Sequence, residues 1–304
     1  MNTPQNVPPT DEWFNWLLHE RHGDDSDYAH VVRDAVARFV DRVLDGARLF
    51  PDMTLVDIGT GDGVVGLRAV ERLGKKIRVI FTDISAPLLA YTEALAKQRL
   101  AAEQCSFLQC SAENLAAIPD SSVDAVAARA SVAYVADKAA AFREFHRVLK
   151  PGGRISIAEP IMQDEAFAAM ALKNAVAARN DRSSDGFLPL LHRWKAAQFP
   201  DTEEGRARNP LVNFSERDLL NLVRGAGFGE IHLQLAIDVT TPLSRSWDVF
   251  VNSSPHPWAP SLQRILAEQF SPEERRLFES VLRPTVESGQ NPTVDRIAYV
   301  IATK

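Results

Sequence analysis

The residues best suited to chemistry gather early in the chain. Leu55-Val56-Asp57-Ile58-Gly59-Thr60-Gly61-Asp62-Gly63 reads as a buried strand that enters a glycine-rich turn and then a helix. Glycines there let the main chain turn sharply and admit a ligand against the backbone. Twenty positions after Gly63, Asp83 closes the next apolar run, Val79-Ile80-Phe81-Thr82. A carboxylate at that place can accept hydrogen bonds from both hydroxyls of an adenosine ribose. Such a turn can also seat a pyrophosphate on the helix N-terminus. Here, however, Asp57 precedes the glycines and Asp62 stands between the last two. Those carboxylates repel a pyrophosphate and suit a ligand with a cationic end. S-adenosyl-L-methionine, with its sulfonium and ammonium, meets that demand; a nicotinamide dinucleotide is the alternative they oppose.

These groups need elements to position them. Between residues 51 and 162, the short apolar runs 54–58, 78–82, 105–109, 123–127 and 154–158 alternate with helix-length segments 63–73, 87–100 and 138–149. That alternation is a βαβ series and implies a mostly parallel sheet with helices on both faces. Right-handed crossovers then put every strand's C-terminal end on one rim, where ligands bind.

Residues 1–50 read as an N-terminal helical cap. Trp13, Phe14, Trp16, Leu17 and Leu18 crowd its first helix, with Asp11 as N-cap, and Val32, Val36, Phe39, Val40 and Val43 repeat at helical spacing in its second. Residues 163–304 read as substrate-cover helices plus the last two strands. An Ala-rich helix (165–180) is followed by a loop or lid through Pro189, Pro200 and Pro210. A helix (215–225) and a strand (230–235) come next, then a helical insert over about 240–292 and a closing strand at 296–303.

Methyl transfer is an in-line displacement at the sulfonium carbon and needs proximity, alignment and a correctly protonated acceptor rather than one obligatory motif. Three residues are candidates for catalysis. Glu159, after the fifth strand, is either a general base or a cap of the following helix. Tyr134, in the loop after the fourth strand, either lines the acceptor pocket or fills core. His19, with His22, follows the aromatic first helix and either joins a lid or lies in solvent. His192, Arg193, Trp194 and Lys195 form either a cationic, aromatic cluster or a solvated helix face. In the insert, Trp247, Phe250, Trp258, Leu262, Leu266 and Phe270 either cover an apolar acceptor or pack on one another.

Residues 54–160 resemble class I S-adenosylmethionine-dependent methyltransferases, in particular the branch containing the quinone-biosynthesis C-methyltransferases. The resemblance is carried by Asp57–Gly63, Asp83, Cys110-Ser111-Ala112-Glu113-Asn114-Leu115, Ser122–Val126 and, most specifically, Phe142–Gly153. It implies a Rossmann-like, seven-stranded doubly wound α/β sheet whose last strand is antiparallel, with N-terminal helices and a helical substrate cover. It also implies that Asp57, Gly59, Thr60, Gly61 and Gly63 hold the methionine end, that Asp83 holds the ribose, and that Ile84 packs on the adenine. The family places an Asp before Ala112 for the adenine amino group. This chain has Ser111 there, so either Ser111 or Glu113 supplies that bond. Arg129 sits where the family approaches the methionine carboxylate; substrate binding and a solvated rim are its other readings.

Composition bounds the function. The 304 residues are 45% hydrophobic and 24% charged, with 34 Lys+Arg against 40 Asp+Glu and a formal charge of −6. An ordinary soluble globular protein has this balance. A nucleic-acid partner would call for a basic excess or stripe, and neither is present. Cys105 and Cys110 lack metal or disulfide spacing and read as buried free thiols of a reducing compartment. The carboxylates Asp24, Asp25 and Asp27 lack the pattern of a calcium loop, so no metal is expected. Without an apolar leader or a long apolar run, a cytoplasmic location and no membrane partner are expected; a homo-oligomer is left open. The expectation is a methyltransferase acting at carbon or oxygen of a small, hydrophobic substrate in specialised metabolism. One alternative is a prenyl diphosphate C-methyltransferase, in which Arg179, Arg182, Arg193 and Lys195 neutralise the diphosphate. Another is a non-catalytic S-adenosylmethionine-binding subunit or sensor.

Overall fold

Five apolar runs become the parallel part of one sheet: β1 (Thr54–Ile58), β2 (Arg78–Asp83), β3 (Cys105–Gln109), β4 (Val123–Arg129) and β5 (Leu149–Pro160). With β6 (Gly229–Thr240) and β7 (Thr293–Thr303) the strand order is β3-β2-β1-β4-β5-β7-β6, and β7 runs antiparallel to both neighbours. The chain is therefore the expected seven-stranded, doubly wound α/β sheet. The computed structural model describes residues 10–99, 102–178, 186–240, 246–289 and 293–304.

The helices in chain order are α1 (Glu12–Leu18), α2 (Ser26–Ala47), α3 (Val64–Leu73), α4 (Ala86–Gln98), α5 (Lys138–Val148), α6 (Gln163–Ala177), α7 (Phe187–Gln198), α8 (Glu203–Arg208), α9 (Glu216–Gly225), α10 (Trp247–Asn252), α11 (Leu262–Gln269) and α12 (Pro272–Glu287). Local chemistry explains where they start. Asp11 accepts from the Phe14 N–H at 2.9 Å, as the sequence predicts for α1. Asp25, Ser85 and Asp137 cap α2, α4 and α5 in the same way. The stretch expected as a loop through Pro189 and Pro200 instead carries α7 and α8. Pro189 falls in the first turn of α7, where a missing N–H costs no intrahelical bond.

Alternation along the strands builds two core layers. Leu55, Val79, Phe81, Ala125 and Ala127 face α2, α3 and α4, whereas Val56, Ile58, Val126, Ile155 and Ile157 face α5, α6 and α9. Phe142 and Phe145 of α5 are fully buried in the second layer; truncating either to alanine would cost about 3–5 kcal/mol. α2 packs on the sheet and also reaches the rim through Val32, Val36 and Phe39, beside α1 and the 3₁₀ turn Glu20–His22. A third core joins Leu190 of α7 to Trp247, Leu262, Leu266, Phe270 and Phe278 of the insert. Self-packing therefore explains most of the insert's large side chains. No helix among the described residues is long and apolar enough to cross a membrane.

Candidate active site

β1 lies between β2 and β4, so the chain leaves it in one direction and returns in the other. That reversal opens a crevice at the strands' C-terminal ends, the usual ligand position in doubly wound sheets. A cavity of about 610 Å³ occupies it, within the range of small-molecule sites. Its walls come from the turn after β1, the ends of β2 and β4, α1, α2, β7 and the loop after α10.

One half is built for a nucleoside. Asp57 is buried, and its Oδ2 accepts from the Thr60 hydroxyl (2.8 Å) and the Gly66 N–H (2.9 Å), which ties the glycine turn to the first turn of α3. Burial pushes its carboxyl up to about 7, and the two donors offset part of that rise. Gly59 and Gly61 both have left-handed φ. A Cβ on Gly59 would stand 2.5 Å from Ser131 Cβ, so the turn has no room for a side chain there. Asp83 at the end of β2 accepts from Gly61 N–H through Oδ2 and from Ser85 N–H through Oδ1, both at 2.9 Å. Each oxygen keeps a second lone pair for a ligand hydroxyl. Next to it Ile84, 51% exposed, offers an apolar shelf inside the cavity.

Ser111, Ala112 and Glu113 line the same half. Glu113 Oε1 accepts from the Asp137 N–H at 2.7 Å at the start of α5, and Ser111 Oγ accepts from the Glu113 N–H at 3.2 Å. Of the predicted cofactor residues, Gly63 alone is off the wall. It is the left-handed cap of α3, and a Cβ there would meet Thr92 at 2.6 Å.

The other half is aromatic and cationic. Trp13, Trp16, Phe39 and Tyr134 line it, and Trp258 packs edge-on behind Trp13 and Tyr134 with ring centroids 5.8 and 5.4 Å away. Trp16 Nε1 donates to Ser254 O (3.1 Å), and Ser254 N–H donates to Glu20 O (2.9 Å). The N-terminal cap and the loop after α10 are thereby tied together over the cavity. Arg129 lines the cavity rather than an open rim, 6.0 Å from the Phe39 ring centroid; burial pulls its pKa down to about 10.

Two of the three catalytic candidates lie off the cavity wall. Glu159 is 0% exposed and absent from the cavity wall. Its Oε2 accepts from the Ala133 N–H (2.9 Å) and its Oε1 from the Ser131 N–H (3.3 Å), so it fastens the loop that presents Tyr134. Burial lifts its carboxyl to about 7. His19 is half-exposed, bonds Asp24 at 2.7 Å and does not reach the cavity. Tyr134 does line the wall, and burial raises its phenol to about 12.

Two of the four expected diphosphate cations are described, and both are engaged elsewhere. Arg193 pairs with Glu274 and Lys195 with Glu165, while Arg179 and Arg182 lie outside the described residues. His192 pairs with Asp201. Cys105 and Cys110 are half-buried, and Cys110 joins the cavity wall. Sequence reasoning missed Arg21, Asp295 and Ile297, all of which line the cavity. The only signal for Arg21 was its place beside the aromatic helix.

The family model described as a methyltransferase domain matches residues 49–204, half of the chain. The ubiquinone/menaquinone biosynthesis C-methyltransferase UbiE of Xanthomonas oryzae pv. oryzae is 34% identical over 113 residues, covering 37% of this chain and 44% of the relative. UbiE of Shewanella oneidensis is 32% identical over 116 residues, covering 38% and 45%. The chain thus spans less than half the length of these curated relatives. Among solved structures, YcgJ of Bacillus subtilis shares the fold at TM-score 0.54 and 18% identity, covering 88% of this chain and 98% of that one. The [4+2]-cyclase SpnF does so at TM-score 0.51 and 21% identity, covering 89% and 81%. The family match spans the strands and turns that build the nucleoside half of the cavity, and the chain belongs to the S-adenosylmethionine-dependent methyltransferase domain family.

Proposed function

We propose that this protein transfers a methyl group from S-adenosylmethionine to a carbon or oxygen atom of a small, largely apolar acceptor. One observation carries the reading: a single cavity joins the glycine turn, Asp83 and Ile84 to an aromatic chamber under the N-terminal cap. When bound, the cofactor supplies an electrophilic methyl on a sulfonium. Asp83 would hold the ribose, Ile84 would pack on the adenine, and Ser111 would bond its edge, since Glu113 already accepts from Asp137. The turn from Asp57 to Gly61 would cradle the methionine end, and Arg129 would take its carboxylate. Gly63 acts behind the turn, as the cap that starts α3.

The protein's own contribution to catalysis is alignment and exclusion of water by Trp13, Trp16 and Phe39. With its phenol held near 12, Tyr134 stays protonated at neutral pH and would donate a hydrogen bond to the acceptor. A carboxylate base would come from Asp62 or Asp295 on the same wall. The reading extends to a cytoplasmic enzyme of specialised metabolism that does not act on nucleic acid, consistent with the charge of −6. Incubation with methyl-labelled cofactor and a panel of phenols, quinols and prenyl compounds tests it. Label in any organic product supports the transferase. Tight cofactor binding without turnover on any acceptor favours the non-catalytic binder.

A further inference from the structure

Arg21 and Arg129 both line the cavity, and neither forms an ion pair or hydrogen bond with any described residue. Each instead lies near an aromatic ring: Arg21 is 5.7 Å from the Trp16 centroid and Arg129 is 6.0 Å from that of Phe39. Arg21 is also held in place. On one side Glu20 O accepts from Ser254 N–H. On the other, Gly23 has φ +64, and a Cβ there would stand 2.9 Å from Val249 O. The backbone that carries this cation to the cavity is thus fixed on both sides.

Two guanidiniums in one cavity repel each other, and the nearby carboxylates offset that repulsion without bonding either fork. Burial lowers both pKa values, and for Arg129 the neighbouring Arg21 adds to the effect. Asp62 on the same wall attracts both arginines and buried Glu159 attracts Arg129, but among the described residues neither carboxylate makes an ion pair or hydrogen bond with either guanidinium. On the function proposed above, the cofactor brings one carboxylate, enough for one guanidinium, and its ammonium and sulfonium add positive charge. Asp62 offsets part of the second charge at a distance, but the Arg21 fork has no ion-pair or hydrogen-bond partner among the described residues and is open to an anion from another molecule.

We propose that Arg21 recognises a carboxylate on the methyl acceptor, so that the substrate is an apolar acid whose skeleton lies against Trp13, Trp16 and Tyr134. The guanidinium fork matches a carboxylate in a bidentate manner. A diphosphate carries more charge than one free guanidinium offsets, and Arg193 and Lys195 already have carboxylate partners.

The test uses the full chain with S-adenosylhomocysteine bound. Its probes are cinnamate and geranate, their primary amides, and geranyl diphosphate, titrated by calorimetry into wild type, Arg21→Met, Arg21→Lys and Arg129→Met. The expected result is that at least one acid binds and its amide does so at least tenfold more weakly. Arg21→Met should weaken the acid by about 10- to 100-fold, with partial rescue in Arg21→Lys and less than about threefold change in S-adenosylhomocysteine affinity. Arg129→Met should instead weaken S-adenosylhomocysteine. The proposal is overturned if the amides bind as well as the acids or if neither acid binds. It fails equally if geranyl diphosphate alone binds through Arg21, or if Arg21→Met costs cofactor and acid alike. Failure of wild type to bind S-adenosylhomocysteine is a separate outcome: it removes the transferase reading and this proposal with it.

Discussion

Glu159 gives the sharpest quantitative expectation, because a catalytic candidate by position is fastened to backbone amides in the fold. Its carboxylate is fully buried and accepts from the Ser131 and Ala133 N–H groups. Alanine would leave those donors unpaired in a dry site. At about 1–3 kcal/mol each, the loss is roughly 2–6 kcal/mol, a fall in Tm of roughly 3–9 °C for a chain of this length. Glutamine mimics the protonated acid and gives a finer test. The folded carboxyl titrates near 7 against an ordinary 4.5, so the native state binds the proton more tightly than the unfolded chain. The stability contributed by the protonated group is complete below about pH 4.5 and is lost as pH rises through about 7, a total of about 3 kcal/mol.

Denaturant melts of wild type and Glu159→Gln across pH 4 to 8 should therefore differ by a gap that shifts by about 3 kcal/mol toward the glutamine variant as pH rises. Parallel curves would refute the burial argument. An Glu159→Ala variant with unchanged Tm, normal cofactor affinity and no turnover would refute the structural role and restore Glu159 as a base.

Further expectations concern the remaining residues. His19→Ala breaks an exposed contact with Asp24 and a loose ring contact with Phe14, so Tm should stay within about 2 °C and kcat should hold; a tenfold loss of kcat would return His19 to the site. Gly59→Ala forces a Cβ to 2.5 Å from Ser131 Cβ at φ +59, and calorimetry should show S-adenosylhomocysteine affinity falling at least about tenfold. Replacing Arg193 and Lys195 together by alanine frees Glu274 and Glu165 but leaves the cavity untouched, so acceptor KM should change by less than about threefold. A rise of ten times or more would revive a diphosphate subsite there.

The parallel strands and their order of function were legible because burial dictates them locally. Thr54–Ile58 is apolar around a single Asp57, and the glycines and Asp83 follow at strand ends where only backbone geometry decides their use. Other features depend on contacts between distant segments. Arg21 looks solvated in sequence; it becomes a cavity residue only because Trp16 meets Ser254, 238 positions away. Glu159 carries the same letter whether it faces a ligand or backbone amides, and the loop it caps is set by tertiary packing. Pro189 suggested a break, yet a proline in the first turn of a helix breaks nothing. The insert's aromatics read as a lid because sequence does not reveal that Leu190 and Phe278 supply them with a core of their own.

The central claim is that the rim formed by Gly59–Gly61, Asp83 and Ile84 holds S-adenosylmethionine. Calorimetric titration of the protein with S-adenosylmethionine and S-adenosylhomocysteine, beside Asp83→Ala and Asp83→Asn variants shown by circular dichroism to be folded, tests it most directly. The account predicts micromolar binding of both ligands to wild type, lost in Asp83→Ala and weakened in Asp83→Asn. No binding to wild type, or affinity indifferent to Asp83, would contradict it.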